Sequence, residues 1–335
     1  MLRNQTILVS LVVLICAFSI VMAFLALENP EDTNNVRIGY SPIATLLPIF
    51  VAVDNGYFQE QGINATLVEF ATNDQIMDAL ISGRIDTGAP TLPVILGVEQ
   101  NSPGSFKMYM AAASTAEGNN NEHIIVLENS SISSLYDLKG KSIGIGSSSP
   151  HKTWLSLVLK NFMDPEKDIN VVPMPFTLHL QALESGSVDA VMTIEPMATI
   201  GLKGGNMKEI DNSVRAKYIY DPFYNIGWLF SSNFIENNPE KAGKIKAALE
   251  KASDYIRENE EDARKLLTKY TPLPEDMIYD ATLPAYHKLE EIDREAIQKT
   301  ADILYEEGTL TSRVDTTDIY TSEQLFTTPV NQSGP

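Results

Sequence analysis

Cysteine is nearly absent from this chain of 335 residues, because Cys16 is the only one. A single cysteine forms no disulfide within the chain, and it cannot supply a zinc site or an iron–sulfur cluster that needs several thiolates. Cys16 also lies in an apolar N-terminal segment, so the rest of the chain has no thiol nucleophile. Thiol catalysis and cysteine-based metal chemistry are therefore excluded.

Positive charge is also scarce. The chain has 25 Lys and Arg residues against 44 Asp and Glu residues, which gives a formal net charge of −19. Nucleic acids and anionic membrane surfaces are bound through clustered Lys and Arg side chains. Neither is therefore an expected partner.

Common catalytic motifs are missing as well. The sequence has no G-x-S-x-G nucleophile elbow and no P-loop, and the stretch GIGSSS lacks the third glycine of a dinucleotide-binding fingerprint. The four histidines show no metal-ligand spacing; they are His123, His151, His179 and His287. We therefore predict a protein without a catalytic residue, a metal or a cofactor.

The longest apolar run lies near the N-terminus. Residues 7–27 read ILVSLVVLICAFSIVMAFLAL, with no charged side chain. At about 1.5 Å per residue, a helix of this length spans the roughly 30 Å of hydrocarbon in a bilayer. Arg3 precedes the run and acidic residues follow it in a linker (28–35), so the positive-inside rule places residues 1–6 in the cytoplasm and the rest outside. A cleaved signal peptide is the alternative, although its apolar region is usually shorter. We expect an extracytoplasmic protein (periplasm or outer face of the cell membrane), either anchored or secreted.

One octapeptide pattern occurs twice, as ALISGRID (79–86) and as ALESGSVD (182–189). Each copy follows a segment whose pattern predicts strand, loop, helix and strand, and each is followed by a further short apolar strand. The glycine of each copy is placed to end a helix. Two such units predict an α/β fold with mostly parallel sheets and right-handed crossovers.

The last third of the chain has a different pattern. After the stretch YNIGWLFSSNFI, the sequence predicts helices to the end. Asn238 and Pro239 suit the N-cap and the first position of a helix whose apolar residues recur at helical spacing. Further helices are predicted near 260–269 and 289–306, and the tail 327–335 is predicted to be disordered.

Ligands of open α/β sheets bind beyond the carboxyl ends of the strands, so polar residues at those ends are candidates for binding. Three serines (147–149) follow one strand, and the N–H groups of the helix that they precede suit a polar or anionic group, a well-capped surface helix being the alternative. The carboxylate of Glu195 suits an amine or a ring N–H, with a salt bridge as the alternative. The candidate ligand-binding residues are Ser41, Thr91, Ser147, Ser148, Ser149, His151, Glu195 and Tyr224.

Several stretches resemble one family. VRIGYSPIATLLPIFVAVDNGYFQEQGI, LYDLKGKSIGI and VDAVMTIEPMAT occur in the order found in the type II periplasmic binding proteins of ABC importers. The resemblance is to their nitrate/sulfonate/taurine and NMT1/THI5-like group, and it covers about residues 36–310. It implies a two-lobed fold, in which each lobe is a mostly parallel sheet flanked by helices and the ligand cleft lies between the lobes.

The resemblance also implies an organisation and a function. Lobe one would be discontinuous (36–120 plus 225–320), with the C-terminal helices packed onto it, and lobe two would be continuous (121–224). A protein of this group captures a small solute by lobe closure and presents it to an ABC permease and, through the permease, to its ATPase.

The class of solute has two candidates. A helix N-terminus that faces Glu195 suits a solute with acceptor and donor ends, such as a taurine-like aminosulfonate or another sulfonate, and a pyrimidine-like heterocycle fits nearly as well. Nitrate fits worse, because a carboxylate repels a small anion. An enzyme on the same fold, such as a chorismate-dehydratase-like one, and a ligand-sensing receptor are the alternatives. A pyrimidine synthase of the family uses a cysteine cluster that this chain lacks. Three asparagines lie in N-x-[ST] sequons: Asn64, Asn129 and Asn331.

Overall fold

The computed structural model describes residues 34–116, 121–148, 150–322 and 324–327. The apolar segment predicted to be an anchor, Ser149 and most of the C-terminal tail lie outside these residues. Within them, every helix is too short or too polar to cross a bilayer.

The strands of the described residues are β1 (Asn35–Tyr40), β2 (Asn64–Glu69), β3 (Thr87–Gly88), β4 (Phe106–Thr115), β5 (Glu122–Leu127), β6 (Lys141–Ile145), β7 (Ile169–Pro173), β8 (Ala190–Ile194), β9 (Met207–Asn212), β10 (Phe223–Ser231) and β11 (Ala285–Lys288). The α-helices are Leu47–Asp54, Tyr57–Glu60, Asn73–Ile81, Leu92–Asn101, Pro150–Leu159, Pro165–Asp168, His179–Glu184, Met197–Lys203, Val214–Tyr218, Ser232–Asn237, Pro239–Glu258, Glu260–Lys265, Leu267–Tyr270, Arg294–Glu306 and Gln324–Thr327.

The strands form two sheets, and each sheet with the helices packed on it is called a lobe. The first sheet has the order β11-β4-β10-β3-β1-β2, and the second has the order β7-β6-β8-β5-β9. The chain passes from the first sheet to the second between β4 and β5, and it returns between β9 and β10. The predicted two-lobed α/β fold is therefore confirmed, while the residue bounds given to the lobes stay a prediction.

The sheets are mixed, which corrects the expectation of mostly parallel sheets. β1 pairs in parallel with β3, and β6 pairs in parallel with β7 and β8. In contrast, β10 is antiparallel to β3 and β4, and β5 is antiparallel to β8 and β9. A crossover helix forces neighbouring strands to be parallel. Because β5 and β10 enter their sheets from the other lobe, that constraint does not apply to them.

The two octapeptides make the same hydrogen bonds. In the first copy, the carboxylate of Asp86 accepts from the backbone N–H of Arg37 at 2.7 Å, and the Asp86 N–H donates to the Arg37 carbonyl at 2.8 Å. In the second copy, Asp189 makes the corresponding two bonds to Ser142, at 2.8 and 2.9 Å. The repeated aspartate thus joins the end of each octapeptide to the first strand of its own repeated unit, β1 or β6.

The glycines of the two octapeptides explain why the pattern keeps this residue. Gly83 and Gly186 have φ angles of 71° and 69°, in the left-handed region that residues with a Cβ rarely adopt. Each follows the last turn of a helix and turns the chain towards the next strand, as the sequence predicts.

The C-terminal third differs from its prediction in one element. The helix Pro239–Glu258 has Asn238 at its N-cap and Pro239 at its first position, as predicted. However, β11 interrupts the helices and pairs antiparallel with β4. Four residues carry too short a pattern to distinguish a strand from a loop, so the sequence gives no signal for β11.

Two helices pack together in the hydrophobic cluster that includes residues of β1. Phe50 and Val51 of the helix Leu47–Asp54 are buried in one hydrophobic cluster with Ile245 and Leu249 of the helix Pro239–Glu258. This packing explains the apolar run at residues 46–52, all of which are buried and which therefore have no polar face.

Candidate functional site

A cavity of about 300 Å³ lies between the two lobes. Its walls are the segments that follow the carboxyl ends of five strands, β1 and β2 in the first lobe and β6, β7 and β8 in the second. The lining residues are Ser41, Pro42, Ile43, Glu69, Phe70, Ala71, Asn73, Ser147, Ser148, His151, Pro175, Phe176, Thr177, Ile194, Glu195, Pro196 and Met197. The location is the one expected for ligands of α/β sheets.

The structure brings most of the candidate residues together. Five of them line this cavity: Ser41, Ser147, Ser148, His151 and Glu195. Thr91 lines a smaller cavity beside it. Ser149 lies outside the described residues. The structure places Tyr224 elsewhere, since it is absent from both linings and its phenol oxygen accepts from the backbone N–H of Asp293 at 2.9 Å. A ligand contact of Tyr224 therefore stays a prediction, and neither of these two linings supports it.

Ser148 joins the lobes at the cavity. Its hydroxyl oxygen lies 3.3 Å from the backbone nitrogen and 3.4 Å from the side-chain nitrogen of Asn73, which begins a helix of the first lobe. Ser148 is 4% exposed, so this contact is shielded from solvent. The described conformation therefore has the two lobes in contact over the cavity.

His151 presents a neutral ring to the cavity. Burial, with a further contribution from the nearby Arg215 charge, lowers its pKa to about 4, so the imidazole is uncharged at neutral pH. Its Nδ1 lies 3.1 Å from the Ser148 carbonyl oxygen. Because a carbonyl can only accept, Nδ1 is the donor and Nε2 is left as an acceptor. His151 is thus a hydrogen-bond acceptor rather than a cation.

An aromatic wall stands beside His151. The ring of Phe176 packs edge-on against the imidazole, with ring centroids 5.3 Å apart. Gly146 makes this packing possible, because a Cβ at this position would lie 2.7 Å from Phe176 Cζ and 2.8 Å from His151 Cε1. The absence of a side chain at position 146 therefore determines the shape of the wall.

The carboxylate of Glu195 is engaged by hydrogen bonds within the protein. Glu195 is 2% exposed, and its oxygens accept from the Thr199 hydroxyl at 3.0 Å and backbone N–H at 3.2 Å. They also accept from the backbone N–H of Thr282 at 3.3 Å. Thr282 precedes β11 of the first sheet, so this last bond joins the lobes.

His123 compensates the buried charge of Glu195. Its Nε2 lies 3.6 Å from Glu195 Oε1, and its Nδ1 contacts Glu209. Although burial opposes charging, the hydrogen bonds to Glu195 and Glu209 raise the pKa of His123 to about 9. An imidazolium at neutral pH neutralises the carboxylates, which is the salt-bridge alternative to the predicted amine contact. Because Glu195 also lines the cavity, its contact with a ligand stays a prediction.

A family model described as the NMT1-like family matches residues 29–270. The chain belongs to the NMT1-like family. A Bacillus subtilis (strain 168) protein, provisionally named an aliphatic sulfonates-binding protein, is 23% identical over 297 residues, which are 86% of each chain. The Saccharomyces cerevisiae enzyme 4-amino-5-hydroxymethyl-2-methylpyrimidine phosphate synthase THI12 is 25% identical over 260 residues, which are 74% of each chain. This chain thus has relatives named for binding and relatives named for synthesis.

Solved structures show the same two-lobed architecture. The alkanesulfonate-binding protein SsuA of Xanthomonas axonopodis pv. citri, bound to MOPS, superposes with a TM-score of 0.69 at 21% identity, over 84% of this chain and 96% of that chain. The nitrate-binding protein NrtA of Synechocystis PCC 6803 superposes with a TM-score of 0.67 at 14% identity, over 85% of this chain and 84% of that chain. These likenesses establish the fold.

Twelve lining residues of this NMT1-like chain were not among the sequence candidates, and they include Glu69, Phe70, Asn73 and Phe176. Phe70 and Phe176 follow β2 and β7, the second strand of each repeated unit, so the rule applied to the other strand ends also points to them. Asn73 stands at the start of the helix after β2. Glu69 accepts from the Tyr40 hydroxyl at 3.2 Å. Across the described residues, no group of three or more His, Cys, Asp or Glu side chains is placed to hold a metal ion.

Proposed function

We propose that this NMT1-like protein is the extracytoplasmic solute-binding protein of an ABC importer. It captures one small polar organic solute by closure of the lobes and delivers it to the permease and its ATPase. The observation that carries the proposal is the cavity of about 300 Å³, whose walls come from strand ends of both lobes. A cavity of this size is large enough for a small organic ligand, and closure buries most of the surface of such a ligand.

The lining favours a flat, uncharged solute over a small anion. Two aromatic rings, Phe70 and Phe176, and the apolar side chains Ile194 and Met197 form much of the surface. Lys and Arg are absent from the described lining of this cavity, and the imidazole of His151 is neutral. A pyrimidine-like heterocycle with polar substituents therefore fits better than an aminosulfonate, whose sulfonate would lack a cationic partner in this cavity.

An enzyme on the same fold is the second candidate, because the relatives include a pyrimidine phosphate synthase. The cavity argues for binding instead. Its histidine has a pKa of about 4, so His151 is a weak base at neutral pH. Cys16, the only cysteine, lies in the apolar N-terminal segment. We therefore propose that the solute leaves the protein chemically unchanged.

The N-terminal segment fits this function. An uncleaved helix at residues 7–27 would keep the binding protein at the outer face of the membrane, close to the permease. Cleavage of a signal peptide would release the same binding protein without altering the cavity.

Ligand-induced stabilisation of the full-length chain, purified in a mild detergent, tests the proposal. The panel is 4-amino-5-hydroxymethyl-2-methylpyrimidine, taurine, methanesulfonate and nitrate. A solute at 100 times its Kd adds about 2.7 kcal/mol to the free energy of unfolding, which raises the Tm by a few degrees. We expect the pyrimidine to raise the Tm most and to be recovered intact by mass spectrometry. A consumed solute would establish an enzyme, and a panel without any shift would contradict the proposed solutes.

A further inference from the structure

A smaller cavity of about 40 Å³, which we call the inner cavity, adjoins the main one. The two share wall residues, among them Asn73, His151 and Phe176. The inner cavity is also lined by Thr91, Asn121, Arg215 and Asn225. Its volume accommodates two or three water-sized groups, so one end of a solute in the main cavity can extend into it.

Three polar atoms in this wall have no partner among the described residues: Thr91 Oγ1, Asn121 Oδ1 and Asn225 Oδ1. Asn121 is 2% exposed and Asn225 is 6% exposed. Burying a polar atom without a hydrogen bond costs about 1–3 kcal/mol, so three such atoms around one cavity are unusual. The arrangement is the one expected of a site whose remaining partner is a ligand group.

Asn225 reaches the inner cavity through a β-bulge. In the pairing of β10 with β4, Tyr224 lies opposite Ser114 and Ile226 lies opposite Ala113, so Asn225 has no partner of its own in the ladder. A bulge re-aims a side chain relative to a regular strand. The inner cavity consequently receives Asn225 where the sequence pattern led us to expect Tyr224.

The orientation of the Asn225 amide follows from a chain of hydrogen bonds. The Thr115 hydroxyl donates to the Phe223 carbonyl at 3.5 Å, and a carbonyl can only accept. The Thr115 oxygen is then left to accept from the Asn225 side-chain NH₂, which lies 3.5 Å away. This leaves Oδ1 of Asn225 as an acceptor towards the inner cavity.

Thr91 stands at the N-cap of the helix Leu92–Asn101, but its hydroxyl makes no capping bond. An N-cap threonine ordinarily accepts from an N–H of the first turn, with about 1 kcal/mol of stabilisation. Thr91 lies beside Asn225 in the fold, because it forms an isolated antiparallel bridge with Ile226. Both residues line the inner cavity, where the Thr91 hydroxyl can donate or accept a hydrogen bond.

The inner cavity carries no net charge. Arg215 is 6% exposed, and its Nε contacts the carboxylate of Glu122, which is 1% exposed. The Glu122 carboxylate also accepts from the backbone N–H of Arg215 at 3.1 Å. Because the Glu122 carboxylate already neutralises the Arg215 guanidinium, an uncharged polar group of the ligand is favoured over a charged one here.

We propose that the inner cavity is a head-group subsite for an uncharged edge that donates and accepts side by side, as the N=C–NH₂ edge of an aminopyrimidine does. The NH₂ group donates to Asn225 Oδ1, and the neighbouring ring nitrogen accepts from the Thr91 hydroxyl. Asn121 supplies a further amide from the segment just before β5. This assignment rests on the proposed function and narrows its solute class.

Titration calorimetry on the full-length chain in detergent tests the subsite with two probes. One is 4-amino-5-hydroxymethyl-2-methylpyrimidine, and the other is the same compound without the 4-amino group. We expect the wild type to bind the amino compound about 10-fold or more tightly, because its analogue leaves Asn225 Oδ1 without a donor. Asn225→Leu should abolish this preference. Thr91→Val should lower the affinity for both probes by roughly 10-fold.

Thr321→Val is the matched control, because Thr321 is also buried and its hydroxyl also has no partner among the described residues, yet it lies in neither lining. It should bind both probes like the wild type. Equal affinity of the wild type for the two probes contradicts the proposed subsite. This result does not depend on whether any variant folds. If taurine binds while neither pyrimidine does, solute binding stands and the head-group assignment is wrong. If no solute binds, the proposed function itself fails.

Discussion

In the first lobe, the strand after the octapeptide leads into Ala89-Pro90-Thr91, whereas in the second lobe it leads into Glu195-Pro196-Met197. The octapeptides before these segments make matching hydrogen bonds through Asp86 and Asp189. The segments themselves differ in chemistry. Glu195 joins the lobes and pairs with His123, while Thr91 leaves its hydroxyl at the inner cavity. The repeat therefore forms the same hydrogen-bonded connection between helix and strand in both lobes, which we call the frame. The short segments after the repeat supply different side chains to the site in each lobe.

The largest expected effect comes from removal of the buried charge in the second lobe. Glu195→Ala leaves the imidazolium of His123 without one of its two carboxylates and removes the bond to Thr282. Breaking a buried ion pair at one partner costs about 3 kcal/mol or more, which urea denaturation should detect as a lower free energy of unfolding. Ala89, which occupies the corresponding place in the first lobe, has no charge to lose.

Glu209→Ala is the control for that variant, because Glu209 contacts the same histidine but its side chain is 27% exposed. Its loss should be clearly smaller. The pH dependence gives a second check. The folded pKa of His123 is raised to about 9, so its contribution is complete below the unfolded value and is lost as pH rises through about 9. Glu195→Ala should weaken this alkaline loss, and an unchanged alkaline profile would argue against the pair.

The two octapeptide aspartates offer a smaller, paired effect. Asp86 is 14% exposed in its side chain and also accepts from the guanidinium of Arg37 at 2.9 Å, whereas Asp189 is exposed and bonds only to Ser142 in the described structure. We expect Asp86→Ala to cost about 2 kcal/mol and Asp189→Ala about 1 kcal/mol in thermal unfolding. The Asp→Asn variants keep an acceptor oxygen and should recover part of each loss. A neutral effect at both positions would mean that the repeat has no structural role.

Most of the frame could be predicted from the sequence because its signals are local. A glycine that ends a helix and an apolar strand after it recur in both units, and the rule of strand ends locates Ser41, Ser147 and His151 at the cavity. The same rule would have located Phe70 and Phe176, since both follow strands of the repeated units.

The remaining features depend on partners far along the chain. The direction of the Glu195 carboxylate is set in part by Thr282, which is 87 positions away. The choice of Asn225 over Tyr224 is set by a bulge against β4, a strand that ends more than a hundred positions earlier. A pattern within one segment contains neither pairing, so the sequence alone could not predict the hydrogen bonds of the Glu195 carboxylate or the bulge at Asn225.

The smallest expected change in stability tests the loops after the first strands of the two units. Ser41 follows β1 and carries a side chain, whereas Gly146 follows β6 and has rigid rings within 2.9 Å of the place for a Cβ. Gly146→Ala should cost about 1 kcal/mol, because Phe176 and His151 must shift. Because these rings form the cavity wall, the affinity for the solute that stabilises the wild type most should fall about 10-fold, as measured by calorimetry. Gly97→Ala, in a helix where a Cβ meets no atom within 4 Å, should leave affinity unchanged and stabilise the fold by about 0.5–1 kcal/mol. If Gly146→Ala keeps the wild-type affinity, the rings of Phe176 and His151 do not contact the solute.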